Sequence, residues 1–171
     1  LAMMTSNGAA NNVAVGKQSG YLHTTGDKNA WVGSNAGFNS TTSSNNAGLG
    51  YTSLYSCTTG SELVGIGPQT LYNATTAVSC IAIGDRAKAR KSSSIAIGAE
   101  TEVGAAGADN TILIGRSNLT SQGNHRIIGI GNDVRPPSTT SANDTVIIGS
   151  STTQGSNTDI SNSVQIGLVS T

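Results

Sequence analysis

Residues 81–98 read IAIGDRAKARKSSSIAIG, and in this stretch one short pattern occurs twice: two aliphatic residues around a small one, followed by glycine. A similar pattern, always ending in glycine, recurs along the whole chain. The glycines are Gly16, Gly33, Gly50, Gly67, Gly84, Gly98, Gly115, Gly131, Gly149 and Gly167. Alternation of aliphatic and small residues predicts a short β-strand, and its return every 14 to 18 residues predicts a stack of coils.

Other residue types keep the same phase in the first four coils. An aromatic residue follows each glycine by five positions, a threonine pair follows by eight and nine, and an asparagine precedes three of the glycines by four. The aromatic positions are Tyr21, Phe38, Tyr55 and Tyr72. Since like residues stack on like in a solenoid, we predict an all-β parallel β-roll of about ten coils. We place it at residues 11–171, after an N-terminal lead-in at 1–10, with two short strands in each coil.

The interior of such a roll is thin. We expect the two aliphatic residues of each strand and one aromatic residue to point inward, while the small residue between the aliphatics allows a neighbouring chain to approach. A buried Val or Ile contributes roughly 1.5–3 kcal/mol, which is little against the entropy of ordering a whole coil. Association of several chains along the strand face is therefore expected, although the sequence does not decide which face meets the neighbour.

Composition excludes several classes of function. Nine Lys and Arg residues balance nine Asp and Glu residues, so no net charge attracts the chain to nucleic acid. No apolar run approaches the roughly 20 residues that span a bilayer, so membrane insertion is not predicted. Cys57 and Cys80 are too few for a disulfide scaffold and are interpreted as buried or free thiols.

The stretch at 81–89, followed by residues 94–98, closely resembles the head repeat of trimeric autotransporter adhesins, which is also used in bacteriophage tail fibres. The resemblance implies a left-handed parallel β-roll that forms a side-by-side homotrimer. Residues 146–153 and 164–167 resemble the ends of phage fibres. The implied function is a structural or adhesive segment of a phage tail fibre on the virion, which presents a surface for a host receptor such as a glycan. The alternative is the head of an adhesin on the bacterial cell surface.

Candidate site residues are few. Trp31 takes the place of the small residue in its strand, and Tyr51 lies two residues past the same phase in the next coil. An exposed pair of this kind could stack on sugar rings, so Trp31 and Tyr51 are the predicted receptor-binding residues, with packing against a neighbouring chain as the alternative role for Trp31.

No catalytic, metal-binding or cofactor-binding residues are predicted, and no cofactor is expected. The best enzyme alternative is a hexapeptide-repeat acyltransferase with His23 or His125 as general base, but the coil length and aliphatic spacing do not fit it. Both histidines are expected in solvated turns. The basic cluster of Arg86, Lys88, Arg90 and Lys91 is likewise interpreted as a solvated turn.

Overall fold

The computed structural model describes residues 8–104, 109–120, 126–136, 143–151 and 161–167, and all regular elements in these residues are β-strands. The strands are β1 (Val13–Val15), β2 (Ala30–Val32), β3 (Ala47–Leu49), β4 (Val64–Ile66), β5 (Ile81–Ile83), β6 (Lys88–Ala89), β7 (Ile95–Ile97), β8 (Glu102–Val103), β9 (Ile112–Ile114), β10 (Leu119–Thr120), β11 (Ile127–Ile130), β12 (Thr145–Ile148) and β13 (Val164–Ile166). They form a parallel β-solenoid, which confirms the predicted fold class.

Ten strands, one from each repeat, stack in one parallel sheet in the order β1-β2-β3-β4-β5-β7-β9-β11-β12-β13. Their register follows the repeat, so that Val13 pairs with Ala30 and Ala30 with Ala47. Backbone hydrogen bonds continue past the strands, for example from Gly33 N to Val15 O at 2.8 Å. Each coil therefore supplies the backbone partners of the next one.

Left-handed residues turn the chain at both ends of the repeat strands β1 to β5, β7, β9, β11 and β12. One lies two positions before the first outward aliphatic residue, as at Lys28 (φ 58°), and another lies two positions after the glycine, as at Arg86 (φ 54°). The glycine that lies between these two residues is required for a different reason, which is the close approach of the next coil. At Gly98, with φ of 124°, a Cβ atom would overlap the carbonyl of Gly115 in the next coil. Close backbone stacking thus explains why the repeat ends in glycine.

The second strand predicted for every coil is found in three coils only, within the described residues. Strands β6, β8 and β10 form a three-stranded parallel sheet. In the first four coils the equivalent segment is a turn with one more left-handed residue, four positions after the glycine: Gly20, Gly37, Leu54 and Leu71, with φ between 48° and 61°. The prediction of two strands per coil was therefore wrong for these four coils.

The middle residue of each repeat strand points into the solenoid. Ala82, Ala96 and Leu113 are fully buried, whereas the flanking aliphatics are half-buried or exposed. The prediction of inward-facing aliphatics was therefore wrong. The physical reason is that neighbouring side chains already fill much of the interior: a Cβ atom at Gly48 would lie 3.1 Å from Leu54, and one at Gly129 would lie 2.7 Å from Leu113. Most inward positions therefore hold Ala or Gly, and the flanking aliphatics lie outside.

Buried asparagines explain the polar residue that precedes the first three strands. Asn29 N donates to Asn12 Oδ1 at 2.8 Å, Asn46 N donates to Asn29 Oδ1 at 3.0 Å, and Leu63 N donates to Asn46 Oδ1 at 2.9 Å. The amide nitrogens donate to carbonyls such as that of Gly60. This ladder satisfies polar groups inside the first coils, where an unpaired amide would be costly.

Candidate assembly and receptor-binding surfaces

The ten-stranded sheet presents an outward surface built of two residues from each strand, here named the aliphatic face. Its members are Val13, Val15, Ala30, Val32, Ala47, Leu49, Val64, Ile66, Ile81, Ile83, Ile95, Ile97, Ile112, Ile114, Ile128, Ile130, Val146, Ile148, Val164 and Ile166. None of them is polar or charged. At about 4.8 Å per coil, ten strands make this face about 45 Å long.

Exposure along the aliphatic face is substantial. Leu49 is 50% exposed, Ile114 and Ile130 are 38% exposed, and Ile166 at the C-terminal end is 75% exposed. Contiguous apolar surface of this kind is uncommon on a soluble monomer and usually marks an interaction site. The chain alone therefore leaves one long side of the roll uncovered.

Trp31 is fully buried, so the expectation of an exposed indole was wrong. Its ring lies inside the second coil, in an edge-to-face contact with His23 at 4.7 Å between ring centroids. Gly37 provides the space, since a Cβ atom there would clash with the indole. The middle strand position points inward, contrary to the prediction, and Trp31 occupies that position and is therefore buried.

Tyr51 has the opposite environment and is 56% exposed at the start of the turn after β3. It is accessible to a receptor, but it does not form a pair with Trp31, because one side chain faces the interior and the other faces solvent. The predicted two-residue aromatic site is therefore not assembled. A receptor-binding role for Tyr51 by itself stays a prediction.

The aromatic residues that were expected in the core form a half-exposed stack instead. The rings of Tyr21 and Phe38 lie 5.1 Å apart, those of Phe38 and Tyr55 also 5.1 Å, and those of Tyr55 and Tyr72 lie 4.9 Å apart. Their planes are within 14° of parallel. This aromatic ladder is a surface feature, and the in-phase spacing of the four residues was the signal for it.

His23 is the one histidine within the described residues, and it does not lie at an accessible position. His23 is fully buried, so its expected place in a solvated turn was wrong. Its Nδ1 lies 2.6 Å from the carbonyl oxygen of Ser40, and its Nε2 lies 2.6 Å from that of Gly26. These contacts, together with Trp31, give His23 a packing role. His125 lies outside the described residues.

Cys57 and Cys80 are free and buried, which confirms their interpretation as buried thiols. Burial raises the pKa of Cys57 to about 12 and also raises the pKa of Cys80. A thiol with a raised pKa carries little of the reactive thiolate at neutral pH. Neither cysteine therefore has the environment of a nucleophile.

No group of three or more His, Cys, Asp or Glu side chains that could hold a metal ion occurs among the described residues. In the same part of the chain, no helix is long and apolar enough to cross a membrane. Comparison of the chain with protein-family models, with curated proteins and with solved structures found no match. The fold is therefore shown by the structure, and the biological role is inferred from its surfaces and from the repeat.

Proposed function

We propose that this chain is one third of a homotrimeric fibre segment, in which three rolls pack side by side with their aliphatic faces toward a common axis. In this proposal the trimer is a structural and adhesive part of a bacteriophage tail fibre. It forms or presents the surface that binds a receptor on the host cell, such as a glycan. Its location would then be the virion.

The aliphatic face is the observation that carries this proposal. Burial of an outward Ile or Val in an interface stabilises the assembly by about 25 cal/mol for every Å² of apolar surface removed from water. That gain is modest for one residue, but it recurs twice per strand along ten strands. A straight apolar stripe that runs the length of a rod suits association along a parallel axis. The number of chains, three, comes from the resemblance to the adhesin head repeat.

The head of a bacterial trimeric autotransporter adhesin is the second candidate, because residues 81–98 match the head repeat most closely. Both candidates share the trimer and the receptor-binding role, and they differ in location, which would be the bacterial cell surface for an adhesin. The resemblance of residues 146–153 and 164–167 to phage fibre ends favours the tail fibre.

A hexapeptide-repeat acyltransferase is the least favoured candidate. A general base needs a ring nitrogen that reaches its substrate. Both ring nitrogens of His23 instead contact backbone carbonyls inside the first coils. Binding without chemical change of the receptor is therefore the proposed activity.

The test of assembly compares two aliphatic residues of similar size that lie on opposite sides of one coil. Ile114 lies on the aliphatic face and is 38% exposed, whereas Leu119, on the three-stranded sheet, is 37% exposed. Ile114→Asp should convert the trimer to monomers, because a carboxylate in an apolar interface is costly to bury. Leu119→Asp should remain trimeric. Gel filtration with light scattering measures both masses.

A wild-type chain that is monomeric, or equal masses for the two variants, would contradict the proposed interface. The adhesive role is tested on the same proteins with fluorescently labelled samples and bacterial cells. Three linked copies of a weak site should bind on the order of 10²-fold more tightly than one copy. Equal binding of the trimer and of folded Ile114→Asp monomers would contradict multivalent attachment.

A further inference from the structure

A small cavity lies where the aromatic ladder ends and the second sheet begins, and it is here named the step pocket. It has a volume of about 180 Å³ and is lined by Gln69, Tyr72, Asn73, Arg86, Lys88 and Arg90. The first three residues belong to the turn of the fourth coil, and the last three lie on or beside β6 in the fifth. The pocket is therefore formed by the change from one kind of coil to the other.

Tyr72 supplies an aromatic surface that no further ring covers. Tyr55 stacks on one side of it at 4.9 Å. The next residue in the same phase of the repeat is Ala89, which is fully buried in the second sheet. Since the cations of the following coil line the pocket together with Tyr72, the pocket lies on the side of the ring that faces away from Tyr55.

The three cations of the pocket pair with neighbouring carboxylates. Arg86 Nη2 donates to Glu100 Oε1 at 2.6 Å, and Lys88 Nζ lies 3.2 Å from Glu102 Oε2. Arg90 Nη2 pairs with the other oxygen of Glu102 at 3.2 Å. The lining itself contains no carboxylate. Arg86 Nη2 also lies 3.3 Å from Asp85 Oδ2, so three carboxylates balance the three cations. These ion pairs order the side chains, and the guanidinium and ammonium groups keep further N–H donors that an anion in the pocket can use.

We propose that the step pocket binds a single anionic sugar residue of a surface glycan, one that carries a carboxylate or a phosphate. The sugar ring stacks on Tyr72, and its anionic group pairs with Arg86, Lys88 and Arg90, since charge-assisted hydrogen bonds to such groups are strong. Gln69 and Asn73 have side-chain amides that can both donate to and accept from sugar hydroxyls. This inference rests on the proposed glycan-binding role and deepens it.

The size of the pocket sets the size of its ligand. Sites for drug-sized molecules have volumes of about 300–1,000 Å³, whereas the step pocket has about 180 Å³. It therefore accommodates one sugar ring and leaves the rest of a glycan in solvent. A single ring in an open site should bind with a Kd on the order of 1 mM, which is a strength that a multivalent fibre can use.

The experiment compares glucuronate, glucose 6-phosphate and glucose by saturation-transfer NMR titration with the wild-type protein at constant ionic strength. Inorganic phosphate has no carbon-bound protons, so its affinity is measured by its competition with the bound sugar. Binding of at least one anionic sugar, about tenfold or more tighter than glucose, is expected. The comparison of glucuronate with glucose 6-phosphate shows whether carboxylate or phosphate is preferred. Equal binding of glucose and both anionic sugars would overturn the proposal, as would inorganic phosphate that binds as tightly as the better sugar.

Matched variants locate the binding. Tyr72→Ala and Lys88→Gln should each weaken binding of the preferred sugar about fivefold or more. Tyr21→Ala at the other end of the aromatic ladder and Lys17→Gln at an exposed corner should leave it unchanged. Circular dichroism checks that all four variants are folded. Equal effects in the pocket and control variants would overturn the assignment to the step pocket.

Light scattering on the same samples separates this inference from the proposed function. A trimer that binds none of the sugars overturns the step pocket and leaves the fibre assembly standing. A wild-type protein that is monomeric and binds an anionic sugar, and whose sugar binding is lost in Lys88→Gln, supports the step pocket and contradicts the trimeric fibre.

Discussion

The first four coils and the coils that follow them share one outer sheet but enclose different interiors. The first four hold large side chains, including Trp31, Leu54 and His23, all fully buried. In the following coils the interior at β5 to β7 is built of alanines such as Ala82 and Ala96. The strand, the glycine and the left-handed corners are the same in both regions.

The difference arises on the side of the coil opposite the ten-stranded sheet. In the first four coils a left-handed residue four positions after the glycine, such as Leu54, turns the chain. In the later coils the same position lies in the second sheet, as Lys88 does in β6 and Glu102 in β8. Coil length alone does not account for this, because the interval from Gly98 to Gly115 is again 17 residues and contains β8. The turn conformation, rather than coil length, therefore distinguishes the two kinds of coil.

Removal of the largest interior side chain should have the largest effect on stability. Trp31→Ala leaves a cavity in the wide coils and should lower the free energy of unfolding by about 3–5 kcal/mol. Tyr51→Ala, at an exposed position, should change it by less than about 0.5 kcal/mol. Denaturant unfolding measures both. Similar losses for the two variants would mean that Trp31 is not enclosed.

The opposite change tests how tightly the alanine interior at β5 and β7 is packed. Ala96→Leu adds three carbons to a fully buried position and should cost about 1–3 kcal/mol through overpacking. Gly48→Ala adds only one carbon at the same strand position in a wide coil, where the added Cβ would lie 3.1 Å from Cδ1 of Leu54, a side chain that can shift. Thermal unfolding should show a small effect there. A larger loss for Gly48→Ala would reverse the assignment of wide and narrow coils.

The smallest expected effect concerns the pH dependence of the wide coils. Burial raises the pKa of Cys57 from 9.0 to about 12, so above pH 9 the unfolded chain loses a proton that the folded chain keeps. Stability from this thiol is fully present below pH 9 and is lost as the pH rises toward 12. The loss at pH 10 should be about 1 kcal/mol.

Unfolding at pH 8 and pH 10 measures this loss, and Cys57→Ala should reduce the difference between the two pH values. Ser56→Ala, which changes the neighbouring residue and removes no thiol, should keep the wild-type difference. An unchanged difference in Cys57→Ala would show that this thiol is not shielded from water.

The sequence predicted the elements of this fold well and their environment poorly. The strand positions around Ala82 and Trp31 followed from the alternation before glycine, and all ten repeat strands are present. The basic cluster was expected in a solvated turn, but Lys88 lies in a strand, and Arg86, Lys88 and Arg90 meet Tyr72 of the preceding coil at a cavity. No local pattern could indicate that meeting, because it depends on how one kind of coil stacks on another.

What the sequence by itself determined is the register of the stack. Glycines, aromatics and asparagines each recur at a constant position in the repeat. All three kinds of residue can stack on their equivalents in the next coil only if each coil lies directly on the one before it. What the tertiary structure alone decided is which side of each strand is inside. Strand alternation gives two faces, one aliphatic and one made largely of small residues, and hydrophobicity alone favours burial of the aliphatic one. The packing inside a coil reverses that choice. Neighbouring side chains such as Leu54 already occupy much of the interior, so most inward strand positions hold Ala or Gly, with Trp31, Leu113 and Ile147 as larger exceptions, and the flanking Ile and Val residues lie on the surface.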